Sequence, residues 1–156
     1  MFHIEPERDQ MKYLHLVIYV VLVLLVSCSS PEEKAQKELS ARGVPVLVSS
    51  YMDQAKKGNN ENIQLLLTAG IQVDSVDEDG NSAIHLAAES GQTGVIDTLL
   101  SAGADKNLKD KNGNTPLIRA VMAGKKEAAV KLVTAGANSR AVNTMGRSVL
   151  SIALGK

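Results

Sequence analysis

Few side chains in this 156-residue sequence could do chemistry, and their spacing argues against most of it. The histidines are His3, His15 and His85, and the one cysteine is Cys28. A Ser-His-Asp or Cys-His mechanism needs a base beside its nucleophile and a third group to orient it. Once an N-terminal leader is removed, His85 is the only imidazole left, which leaves no such set. A lone His is no metal site either. Asp77-Glu78-Asp79-Gly80 gathers three carboxylates. A calcium loop of the EF-hand type, however, needs a bidentate Glu at its twelfth position, and counting from Asp77 that residue is Ala88. Asp and Gly in this arrangement suit a turn. Neither a Walker loop nor GxGxxG occurs. Lys106, Lys109 and Lys111 are interleaved with Asp105 and Asp110, the pattern of a solvated face. No catalytic residue, metal or cofactor is expected.

Composition points to a small helical core. The formal net charge is zero, from which no broad field toward nucleic acid or an anionic membrane is expected. Aromatic residues make up 3%, with no Trp and one Phe (Phe2), so base-stacking platforms are not on offer. One domain fits this length, with a core drawn from Ala, Leu, Ile and Val that suits short, closely packed helices.

Cys28 gains meaning from what precedes it. Leu14–Val26 (LHLVIYVVLVLLV) is apolar except for His15. As a helix it would span about 20 Å, short of the roughly 30 Å hydrocarbon core, so a short transmembrane anchor is the weaker reading. The length fits the apolar region of an export signal with Lys12 as its positive flank. Leu25-Val26-Ser27-Cys28 then resembles the lipobox of bacterial lipoproteins. That resemblance implies a diacylglycerol on the Cys28 thiol, cleavage before Cys28 and acylation of the new amino terminus. One acyl chain holds a protein marginally, whereas two or three hold it firmly. Ser29 implies delivery to the outer membrane rather than the inner, facing the periplasm. Residues 1–27 are thus the signal and 28–31 the lipidated Cys and a short linker. The acidic stretch FHIEPERDQ makes Met11-Lys12-Tyr13 a better start than Met1, with a long leading region as the alternative.

The remainder repeats. Shifting the sequence by 33 residues superposes Gly80, Gly113 and Gly146; Gly58, Gly91 and Gly124; and Gly70, Gly103 and Gly136. Leu66, Leu99 and Leu132 share that register, as do Ala69, Ala102 and Ala135. The clearest copies are Asp77–Lys109 and Asp110–Val142. Their Ser82-Ala83-Ile84-His85-Leu86-Ala87 and Thr115-Pro116-Leu117-Ile118-Arg119-Ala120 resemble the T-P-L-H-x-A signature of the ankyrin repeat, whose period is 33. The first departs at Pro and the second at His. A divergent copy runs from Val44 to Val76, and a half-copy from Asn143 runs toward the terminus.

The columns predict local structure. Ser49, Ser82, Thr115 and Ser148 are expected to cap first helices, and Pro116 suits the first helical turn. The Gly58 and Gly70 columns close first and second helices. Ile84, Ala87, Ala88, Ile96, Leu99 and Leu100 fall at helical spacing, as do Leu117, Ala120, Val121, Ala129, Leu132 and Val133. Residues 32–43 read as a polar N-terminal cap helix and 44–156 as repeats. The half-copy supplies only a first helix, which should fray.

The resemblance implies an all-α solenoid of about three and a half helix-turn-helix repeats that binds a partner protein through turn tips and the exposed sides of first helices. Its signature histidine, here His85, implies a structural hydrogen bond rather than catalysis. By position, the implied contact residues are Lys56, Lys57, Glu78, Asp79, Asn81, Glu89, Ser90, Lys111, Asn112, Asn114, Met122, Ala123, Thr144, Met145 and Arg147. The expected function is a membrane-tethered scaffold or regulator in the bacterial envelope, monomeric apart from its partner, with no nucleic acid bound. One alternative is an inhibitor or immunity protein neutralising a periplasmic toxin or hydrolase. A structural envelope lipoprotein without a specific partner is another.

Overall fold

The computed structural model describes residues 30–155. The export signal and Cys28 lie outside the described residues. Helix α1 (Pro31–Ala41) is followed by three antiparallel pairs and a lone helix. The pairs are α2 (Val48–Lys57) with α3 (Asn60–Thr68), α4 (Ala83–Ser90) with α5 (Thr93–Ser101), and α6 (Pro116–Met122) with α7 (Lys126–Thr134); α8 is Val149–Ala153. First helices α2, α4, α6 and α8 stack in one layer, and α3, α5 and α7 stack behind them. The described residues are thus all-helical apart from two isolated antiparallel bridges, Val76 with Ser82 and Val142 with Ser148.

Small and aliphatic residues at helical spacing hold the layers together. Ala55, Ala87, Ala88 and Ala120 are buried where the layers approach, and Ile63, Leu66, Ile84, Ile96, Leu99, Leu117 and Leu132 fill the space between. Each fully buried Leu or Ile contributes about 1.5–3 kcal/mol of transfer free energy. The Gly58, Gly91 and Gly124 column and the Gly70, Gly103 and Gly136 column all have positive φ, closing the helices where the 33-residue period placed them.

Three of the four expected caps occur. Ser82, Thr115 and Ser148 are N-cap residues, and Thr115 Oγ1 accepts from the Ile118 amide at 3.3 Å. Ser49 does not cap. The N-cap of helix α2 is Leu47, two residues earlier, and Pro45-Val46-Leu47 leads into the helix without the side-chain-built turn that precedes the later first helices.

Helix α1 buries Ala35 and Leu39 against α3 and leaves its charged residues outward. Ser30 Oγ caps it, accepting from the Glu33 amide at 3.1 Å. It runs antiparallel to α3. Arg42, just past its end, donates to Glu61 (2.9 Å) and Asn62 (3.2 Å) at the start of α3, while Glu32 at its start lies beside Gly70 beyond the end of α3.

Candidate protein-binding face

Between helix pairs the chain projects as three turns, here called fingers, and one hydrogen-bond pattern builds all of them. In the first finger Asp77 Oδ1 accepts from the amides of Asp79 (2.9 Å) and Asn81 (2.8 Å). In the second, Asp110 Oδ1 accepts from Asn112 (2.8 Å) and Asn114 (2.9 Å). In the third, Asn143 Oδ1 accepts from Met145 (3.1 Å) and Arg147 (3.0 Å). The same column in the divergent first copy holds Val44, which offers no side-chain oxygen, and there Val44–Leu47 leads directly to α2. Burial alone would raise the carboxyls of Asp77 and Asp110. The amide hydrogen bonds to both, and Arg119 beside Asp110, outweigh it and hold both below the usual carboxylate range. The Asp-Glu-Asp-Gly stretch is therefore a turn whose first carboxylate is spent on backbone amides.

The fingers are joined into one rim. The Lys111 amide donates to Asp79 O at 3.2 Å, and the Thr144 amide to Asn112 O at 3.0 Å, reinforced by Thr144 Oγ1 at 2.8 Å. Lys111 Nζ also donates to the Glu78 carbonyl. Gly113 lies against this seam with φ +71°, where an added Cβ would stand 2.9 Å from the Thr144 nitrogen. Only Gly satisfies both the conformation and the space.

His85 links repeats rather than reacting. Its side chain is fully buried. The Ser82 amide donates to Nδ1 at 3.2 Å, which makes Nδ1 the acceptor and leaves the proton on Nε2. Nε2–H then donates to Asn114 O in the next finger at 3.1 Å. Burial pushes the imidazole pKa down, against the raising effects of the Asn114 carbonyl and the Asp110 carboxylate.

Most residues expected on the partner-facing surface are there. Lys56, Lys57, Glu78, Asp79, Glu89, Lys111, Asn112, Met122, Ala123, Thr144 and Met145 are exposed; Ser90 and Arg147 are half-buried. Asn81 and Asn114 are not available to a partner, being only 6% and 4% exposed. Their carboxamides turn inward: Asn81 Nδ2 donates to Asp77 Oδ2 (3.0 Å) and Asn114 Nδ2 to Asp110 Oδ2 (3.1 Å). The four-residue spacing from each Asp was the sequence signal for this closure.

Arg119 was not anticipated. Its guanidinium donates to Asp110 Oδ2 through Nε (2.8 Å), to Asn81 Oδ1 (2.6 Å) and to Glu89 Oε2 (3.1 Å), tying two fingers to the end of α4. It follows the histidine column by one residue, a position otherwise held by Asp53, Leu86 and Ile152.

A linear stack also turns sequence order into position along an axis. Residues 30–105 carry twelve Asp and Glu against five Lys and Arg, whereas residues 106–156 carry two against ten. The net charge of zero is therefore the sum of an acidic and a basic half, and the weak field expected from that sum does not describe either half. Finger tips follow the trend, from Glu78 and Asp79 to Lys111 and then to Met145 with Arg147.

A family model described as ankyrin repeats matches residues 51–143 and 94–156. No curated protein matches the chain.

Proposed function

Because the chain belongs to the ankyrin-repeat family, we propose that it is a membrane-tethered protein-binding module of the bacterial envelope, serving as a scaffold or regulator of a partner protein. Ankyrin repeats are protein-interaction modules, generally without catalysis of their own. The observation that carries the reading is the hydrogen-bonded rim of fingers, which presents exposed tips while its buried groups are committed to holding the stack. Loops fixed on a rigid scaffold are where binding residues concentrate. In a solenoid each repeat touches only its neighbours, so tip side chains that do not join one finger to the next are free of structural duty.

The tether rests on the lipobox resemblance at Cys28. From Cys28 to Pro31 the chain can reach only about 10 Å, so a lipid on Cys28 would hold α1 close to the leaflet. Since α1 runs antiparallel to α3, the start of α1 lies on the side where second helices end and fingers begin. A partner held there would meet the rim close to the bilayer.

Two measurements test the proposal. Metabolic labelling with a clickable fatty acid should mark the wild-type chain and not Cys28→Ser; equal labelling of both removes the tether. Substitutions at Asp79, Asn112 and Met122 should weaken capture of the envelope partner with little change in melting temperature. If they leave capture intact while changes at Asp97 or Lys131 on the second helices abolish it, the rim is not the binding face.

A further inference from the structure

The second and third fingers form one surface whose charge has no internal counterpart. Lys109 Nζ donates to Val142 O at 3.3 Å, and Thr144 bonds to Asn112, so the two fingers move as a unit. Between residues 106 and 147 the acids are Asp110 and Glu127. Asp110 is buried and already held by Arg119, while Glu127 lies on α7 in the other layer. The fingers thus carry exposed Lys109 and Lys111 and half-buried Arg147 with no exposed carboxylate of their own.

Arg147 is the sharpest sign. It occupies the column of Asn81 and Asn114, whose amides bond to the Asp four residues earlier, but its own column partner is the neutral Asn143. The Arg147 Nε is buried without a hydrogen-bond partner among the described residues, and one terminal nitrogen reaches only the Met145 sulfur at 3.9 Å. A guanidinium held in this way lacks the planar anion that its fork of donors fits. Beside it stand exposed apolar side chains, Val142 at 46% and Met145 at 63%. Met is an adaptable contact for aliphatic groups.

We infer that the joined second and third fingers bind an acidic segment of a partner protein, with a carboxylate on Arg147 and aliphatic side chains on Val142 and Met145. This rests on the protein-binding reading of the rim and names the chemistry of what it takes. Glu78 and Asp79 at the first finger repel the same segment, so it runs toward α8 rather than back across the rim. A nucleic acid would also meet the cations. It would gain nothing from Val142 and Met145, and the described part of this surface offers no aromatic ring for its bases.

Fluorescence anisotropy on the full chain tests this with a labelled alternating Glu-Leu peptide. The comparison arms are an alternating Lys-Leu peptide, a single-stranded oligonucleotide and phosphatidylglycerol vesicles. The Glu-Leu peptide should bind most tightly and weaken with added salt. Arg147→Glu should reduce its affinity by on the order of tenfold or more. Its melting temperature should change little, because the guanidinium loses only the weak contact to the Met145 sulfur. Equal binding by Arg147→Glu, or tighter binding of any other arm, overturns the inference. If Asp79 and Met122 variants still lose the envelope partner while the Glu-Leu peptide fails to bind, the rim stands as the binding face and its acidic ligand falls.

Discussion

The seam between the first and second fingers and the seam between the second and third solve one problem in two ways. In each, the Asn at the end of a finger turn spends its amide donors inward and leaves Oδ1 needing a donor from the next repeat. At the first seam that donor cannot come from Asp110, a carboxylate that only accepts. Arg119 supplies it, reaching Asn81 Oδ1 at 2.6 Å while neutralising Asp110. At the second seam Asn143 replaces the acid, and its own Nδ2 donates to Asn114 Oδ1 at 3.0 Å. No arginine is required there, and the column of Arg119 holds Ile152. The fold demands a side-chain oxygen at the turn and a donor across the seam. Charge is free to differ, and it is charge that distinguishes the surfaces the fingers present.

The packing beneath both seams is common to them, and disrupting it should outweigh any change in the seams themselves. Leu99 is fully buried in the layer that supports the second finger. Leu99→Ala should cost about 2–5 kcal/mol in denaturant unfolding. A loss no larger than that of a seam variant would mean that polar ties, not the aliphatic core, carry the stack.

A smaller effect separates the two seams. Arg119→Leu leaves Asn81 Oδ1 and Asp110 Oδ2 short of donors, at a cost of about 1–3 kcal/mol. Adding Asp110→Asn should recover part of this loss, because the second finger then has a carboxamide that can donate as Asn143 does. The test is a double-mutant cycle read from unfolding free energies. Additive losses would show that the seams are not alternative solutions of one problem. Asn143→Asp is the converse: it sets two acceptors against each other at Asn114 Oδ1 and should destabilise by about 1–2 kcal/mol.

The period was legible because the glycines, Leu66, Leu99 and Leu132 each answer to a local demand that recurs with every copy. What escaped was whatever depends on a second residue, in the same turn or in the next repeat. Asn81 and Asn114 sit in a polar turn, where a residue can face out or close the turn, and only the distances to Asp77 and Asp110 decide between them. Ser49 matches the cap column, yet Val44 lacks the oxygen that builds the preceding turn, so the helix starts elsewhere. Arg119 stands at the one signature position with no prescribed residue, and its role emerges only when Asp110 and Asn81 are brought together from opposite sides of a helix pair. The charge segregation was present in the residues all along. Summing over the chain hid it, and stacking the repeats along an axis exposed it.

The smallest expected effect concerns His85, which ties the first seam through Nε2–H to Asn114 O, where the second seam has Ile118. The groups around the ring favour the neutral form. Nδ1 accepts from the Ser82 amide, burial disfavours a charge, and Arg119 opposes one, while Asp110 and the Asn114 and Leu108 carbonyls act in the other direction without prevailing. With a folded pKa below the ordinary imidazole value of 6.5, the native state binds fewer protons than the unfolded chain as pH falls through that value. Stability from this residue is therefore complete above 6.5 and declines below it until the folded pKa is reached, by at most about 1.4 kcal/mol per pH unit. Asp77 and Asp110, lowered from 3.8, lose their contribution only in a separate, more acidic window. Denaturant midpoints at about pH 7.5 and about pH 5.5 should differ more for the wild type than for His85→Ile, which copies the second seam at the first. Comparing the two proteins cancels His3 and His15, which both chains share. If His85→Ile loses as much stability on acidification as the wild type, the ring is protonated in the folded stack, and the bond to Asn114 does not depend on a neutral imidazole.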